Sequence, residues 1–175
     1  MKVSLFFLLL LCYLNTIAQQ TKTITEETPL VDQGMEYGYS IKNVSTKEVS
    51  DKEFSRYEVT LYATNKGDCS RVVLYGQSLA ASELNMNVLA NFDCINATGQ
   101  RLTSKSGTVT AKPMYVNARV NTKDAQGKSI MENQKVQIGY YIGVSETVEN
   151  TVIFLVPLNS KPEIKVRVVN RVSVL

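Results

Sequence analysis

Beyond residue 34, apolar side chains fall at every second position, the spacing that gives a strand one buried face and one exposed face. Met35, Tyr37, Tyr39 and Ile41 alternate with polar or small residues. Tyr57, Val59, Leu61 and Ala63 alternate with Arg56, Glu58, Thr60 and Tyr62. Val136, Ile138, Tyr140, Ile142 and Val144 repeat the pattern, and so do Ile164, Val166, Val168, Val172 and Val174 against Lys165, Arg167, Arg171 and Ser173. Residues 152–156 are apolar on both faces, as a buried central strand requires. Further strands are expected at 71–75, at 88–95 and from Thr108 onward. The best helical candidate, residues 78–84, allows one or two turns, too few for the crossovers that join parallel strands. The chain is therefore expected to be all-β and antiparallel, with about eight strands and at most that one short helix.

Turn chemistry punctuates these runs. Asn65-Lys66-Gly67-Asp68 is a turn by composition, because Asn and Gly tolerate positive φ, and it is expected to join the strands on either side into a hairpin. Asn96-Ala97-Thr98-Gly99 and Asp124-Ala125-Gln126-Gly127 read the same way. The apolar parity reverses at Pro113: Val109 and Ala111 are odd, Met114, Val116, Ala118 and Val120 even. Proline cannot donate to a ladder, so a bulge or bend is predicted at 112–114. Turns every 8 to 15 residues belong to a sandwich or barrel. On strand count the chain resembles an immunoglobulin-like β-sandwich, although the tryptophan typical of true immunoglobulin domains is missing. Residues 34–175 are read as one such domain, preceded by a polar N-terminal arm or edge segment at 19–33 that contains Pro29.

The first eighteen residues have a different character. Lys2 precedes an apolar run from Val3 to Leu11, and small residues stand at Thr16 and Ala18, the pattern of a cleavable signal peptide. The run is too short for a membrane-spanning helix and is broken at Asn15. Cys12 does not complete a lipid-attachment signal, because Leu11 stands where a small residue is needed. With Gln19 after the cut, the segment resembles the signals of exported envelope proteins in Gram-negative bacteria, which implies the periplasm or the exterior. Cleavage leaves 157 residues carrying 18 basic and 16 acidic side chains, close to neutrality, and gives no reason to expect nucleic acid as partner. No other segment is long enough to span a membrane.

Loss of Cys12 reduces three cysteines to two, Cys69 and Cys94. An even pair in an oxidising compartment is read as a disulfide. It would restrict the unfolded chain by roughly 3–4 kcal/mol on the loop-entropy model. Free buried thiols are the alternative.

The chain has no histidine. That removes the usual general base and the commonest zinc ligand, and with them serine–histidine and cysteine–histidine hydrolysis. No phosphate-binding loop, dinucleotide fingerprint or Asp-x-Asp calcium spacing is present, so no cofactor or metal is expected. Asp68-Cys69 and Asp93-Cys94 repeat one dipeptide, so a bridge would draw the two aspartates together as a candidate acidic pair. Tyr62 and Tyr141 lie on the faces of their strands opposite the main apolar series, where a ring can meet a sugar or a protein. Lys161, Lys165, Arg167 and Arg171 form a basic stripe; it suits an acidic polysaccharide or a membrane surface, but is read first as protection of a sheet edge.

These features point to an exported, non-catalytic binding or structural module of the cell envelope. Its expected partner is a protein or a glycan, with self-association through edge strands as a variant. The alternative from another class is a small carboxylate-dependent, glycosidase-like hydrolase.

Overall fold

The computed structural model of the protein describes residues 21–74, 86–96, 98–102 and 106–169, and the backbone of 173–174. The signal segment 1–18, the short helix expected at 78–84 and Arg171 lie outside the described residues. Within them the chain is all-β, with twelve strands rather than about eight. In order these are β1 (Thr21–Ile24), β2 (Leu30–Asp32), β3 (Met35–Val49), β4 (Lys52–Asn65), β5 (Arg71–Leu74), β6 (Val88–Ile95), β7 (Gly107–Thr110), β8 (Lys112–Lys123), β9 (Ser129–Ile142), β10 (Thr147–Pro157), β11 (Glu163–Val168) and β12 (Ser173–Val174). The extra strands come from the arm, which supplies β1 and β2, and from runs that break and change sheet.

Three antiparallel four-stranded sheets result, ordered β1-β11-β6-β7, β10-β4-β3-β2 and β12-β5-β9-β8. The first two enclose the core. Tyr37, Tyr39, Val59, Leu61 and Ala63 of the second sheet join Ala90, Phe92, Cys94, Ile164 and Val166 of the first in one buried cluster. The two sheets also meet at one margin, where Asn150 of β10 donates its side-chain amide to the Thr108 carbonyl of β7 at 2.8 Å. In these two sheets the alternation seen in the sequence therefore does what it promises: their strands turn an apolar face to the opposing sheet.

Two connections differ from expectation. Residues 65–71 do not close a hairpin, because β4 pairs with β3 and β10 while β5 pairs with β9 and β12. The chain crosses there from the second sheet to the third. Asn65 makes the crossing stable: fully buried, it donates to the Cys69 and Gly143 carbonyls at 2.8 and 2.9 Å and accepts from the Gly67 amide at 3.1 Å. Likewise the parity change near Pro113 is a change of sheet. Ala111, buried and bonded through its amide to Asn87, separates β7 in the first sheet from β8 in the third. The bulge itself comes one step later, between Met114 and Tyr115.

Two strand pairs are long true hairpins. β3 and β4 turn at Ser50-Asp51, both at positive φ (52° and 59°), as a two-residue turn compatible with strand twist requires. β8 and β9 turn at 124–128 as the sequence indicates, with Asp124 Oδ1 accepting the Gln126 and Lys128 amides and Gly127 at φ 80°. This second hairpin has a long part that no third strand covers. From Lys112 to Ile138 no side chain is buried. β5 covers β9 only at 139–142, so the remainder stands away from the sandwich as a two-stranded ribbon.

Candidate functional site

One of two similar hollows lies at the foot of this ribbon. Ser70, Val72, Pro113, Met114, Tyr115, Lys135 and Tyr141 line an open hollow of about 580 Å³. Three elements build it. β5 brings Val72 opposite Tyr141 on β9, and Tyr141 in turn lies opposite Lys112 on β8. Pro113 cannot donate to the ladder, and the register shift just beyond it re-aims Tyr115. Tyr115 is 45 % exposed, with the Lys135 ammonium 4.9 Å from its ring centroid. At that distance a cation is attracted to the ring face, and the pair fixes the ring as a flat apolar surface with a charge beside it. Behind the hollow, the Lys112 ammonium is ion-paired with Glu146, whose carboxylate also accepts the Gly143 amide at 2.6 Å. Lys112 foremost, then the Gly143 amide, holds the Glu146 carboxyl below the usual carboxylate range. Its described lining residues offer aromatic surface, thioether, hydroxyl and one ammonium, with no carboxylate among them.

Tyr141, singled out from the sequence, is thus part of the hollow. Tyr62 is not. Its ring lies across Gly38 on the neighbouring strand, so close that a Cβ on Gly38 would fall 2.3 Å from the ring. Burial, then Glu36, raises its hydroxyl pKa. It is a packing residue of the second sheet. Lys165 and Arg167 are on the outer face of β11, opposite Asp93 and Asn91 on β6 and opposite Thr23 and Thr21 on β1. β11 is a central strand, so these charges do not protect an edge; β1 covers it.

The expected Cys69–Cys94 disulfide is not formed: both residues are free thiols. Cys94 is fully buried on the core face of β6, opposite Ile164 and near Tyr39. The Cys69 carbonyl is held by Asn65, which pairs with Met35. Met35 and Tyr39 are four residues apart on one strand, roughly 13 Å. A disulfide needs Cα atoms within about 7 Å. Burial pushes the Cys94 thiol up to about 12, which makes it inert as a nucleophile. Without a bridge nothing gathers the two aspartates. Asp93 points outward, paired with Arg101 at 3.1 Å and accepting the Ser106 hydroxyl at 2.7 Å, while Asp68 remains in the 65–71 crossing.

A second hollow, about 560 Å³, opens between the first two sheets beside Tyr39, Ile41, Val44 and Tyr57. Its polar groups hold the fold together: Glu26 accepts the Ile41 amide at 2.6 Å and Tyr57 donates to the Ser160 carbonyl at 3.1 Å. Among the described residues no three His, Cys, Asp or Glu side chains are placed to hold a metal ion, and no helix is long and apolar enough to cross a membrane. Sequence reading missed Tyr115, Met114 and Lys135. The signal was present in Pro113, since a parity change beside an exposed aromatic marks a re-aimed side chain.

No protein-family model, no curated protein and no solved structure matches this chain.

Proposed function

We propose that the protein is an exported, non-catalytic binding module of the cell envelope that seats a protein or glycan ligand at the foot of the β8–β9 ribbon. One observation carries this reading: Tyr115 and Tyr141 share an open hollow whose other described lining residues are Ser70, Val72, Pro113, Met114 and Lys135, with no carboxylate among them. Such a surface supplies contact area and orientation rather than proton transfer. The clamped Asp93 and the buried Cys94 thiol support the same view, because Asp93 is held in an ion pair and Cys94 is sealed in the core. Export is supported by residues 1–18.

The test is capture from envelope extract together with a glycan panel, comparing the native chain with the Tyr115→Ala/Tyr141→Ala variant. The native chain should retain a ligand and the variant should bind it at least about tenfold more weakly, as expected for loss of aromatic anchors. Equal capture by both proteins would remove the hollow as the site. Turnover of any glycan in the panel would instead establish an enzyme.

A further inference from the structure

The ribbon above the hollow has two unlike faces. Pairing of Val116 with Val136, Ala118 with Gln134, Val120 with Glu132 and Thr122 with Ile130 puts a largely apolar series on one side. The other side presents Tyr115, Asn117, Arg119, Asn121 and Lys123 from β8, and Gln137, Lys135, Asn133, Met131 and Ser129 from β9. Three cations stand there without a single carboxylate, and none of them is ion-paired among the described residues. Interleaved with them are three side-chain amides, Asn117, Asn121 and Asn133, each able to donate and accept at once. Arg119, Lys123 and Lys135 are all exposed.

We infer that this face is a track for a linear, carboxylate-bearing polysaccharide, which leads into the hollow at Tyr115. The inference rests on the binding-module reading and names its ligand class. Charge and side-chain chemistry decide it. Along the ribbon, Lys123 to Arg119 is four residues, roughly 13 Å, and from Arg119 to the level of Lys135 is two more, roughly 7 Å. A single-stranded nucleic acid is held by successive bases stacked on aromatic rings along its track, and this face of the ribbon has one ring, Tyr115, at its end. A uronate polymer has its carboxylates one or two sugar rings apart and hydroxyls between them. Separated cations with interleaved amides complement that pattern. Tyr115, with Lys135 over its ring, joins track to hollow, since both residues belong to each. The β8 edge carries Lys112, Pro113, Arg119 and Lys123, which disfavours a second copy pairing on it.

The test is titration of the full native chain with polygalacturonate, with neutral dextran, and with a single-stranded oligonucleotide, at 50 and 200 mM salt. Polygalacturonate should bind, and should weaken roughly 5- to 20-fold between the two salt concentrations, as expected for about three charge contacts. Dextran should bind far more weakly. R119Q/K123Q/K135Q should lose at least tenfold for polygalacturonate and most of its salt dependence, whereas E132Q, on the opposite face, should bind like the native chain. No polygalacturonate binding, equal binding of dextran, tighter binding of the oligonucleotide, or an unaffected triple variant would each overturn the inference. The broader reading fails separately. If Tyr115→Ala/Tyr141→Ala still costs affinity for some neutral glycan or protein while polygalacturonate does not bind, the module stands and only its assigned ligand class falls.

Discussion

A buried thiol is neutral at ordinary pH, and in Cys94 that neutrality ties stability to pH in the alkaline range. Its folded pKa is about 12, against 9 for an ordinary thiol, because ionisation would place a charge in the apolar space between the two main sheets. Below pH 9 the thiol is protonated whether the chain is folded or not, and contributes no pH dependence. From 9 to 12 the unfolded chain releases the proton and the folded one does not, so stability falls as pH rises, by about 4 kcal/mol at most. Tyr37 adds a decline that starts near pH 10, since burial first, then Asp32, raises it to about 12 against the opposing effect of Arg71. Guanidinium unfolding between pH 8 and 11 separates the two. The native chain should begin to lose stability near pH 9, and Cys94→Ala only near pH 10. Identical slopes between 9 and 10 would mean that Cys94 is not the buried titrating group.

At the scale of elements, the ribbon stands apart from the core. None of its side chains from Lys112 to Ile138 is buried, so it contributes little apolar burial to the sandwich. Replacing residues 118–134 by Asn-Gly closes Asn117 onto Lys135 through a two-residue turn that suits their existing pairing. The shortened protein should keep a melting temperature within a few degrees of the native one. A loss of ten degrees or more would show that the ribbon packs on the body. Most elements were legible in the sequence: alternation located the strands, and Asn, Asp and Gly marked the 96–99 and 124–127 turns. Pairing was not legible. Period-two alternation gives a strand its faces but not its neighbours, so 65–71 reads as a hairpin turn although it joins two sheets. Only the buried Asn65, bonded to both the crossing and Gly143, reveals this. The ribbon was hidden for the opposite reason. Val116, Val120, Ile130 and Val136 alternate as core residues do, yet they cover mainly one another.

On the scale of the whole molecule, compartment and thiols have to be reconciled. Cysteine parity argues for a bridge in an oxidising space, but parity says nothing of which sheet or which end of it each residue occupies. Here Cys94 is sealed inside the sandwich and Cys69 lies in the crossing at the level of Met35, only partly covered. Two thiols kept apart by register can survive oxidation because neither can reach the other without unfolding. Intact mass spectrometry of exported, native material joins this to the signal segment in one measurement. The mass should begin at Gln19, with a single alkylation under native conditions, at Cys69, and a second one, at Cys94, appearing on denaturation without any reductant. A second alkylation that requires reductant would mean that a bridge forms in the cell, and that the end of β6 rearranges to meet the 65–71 crossing. A mass retaining residues 1–18 would instead place the protein in a reducing compartment, where free thiols need no protection and the proposed envelope ligands would be out of reach.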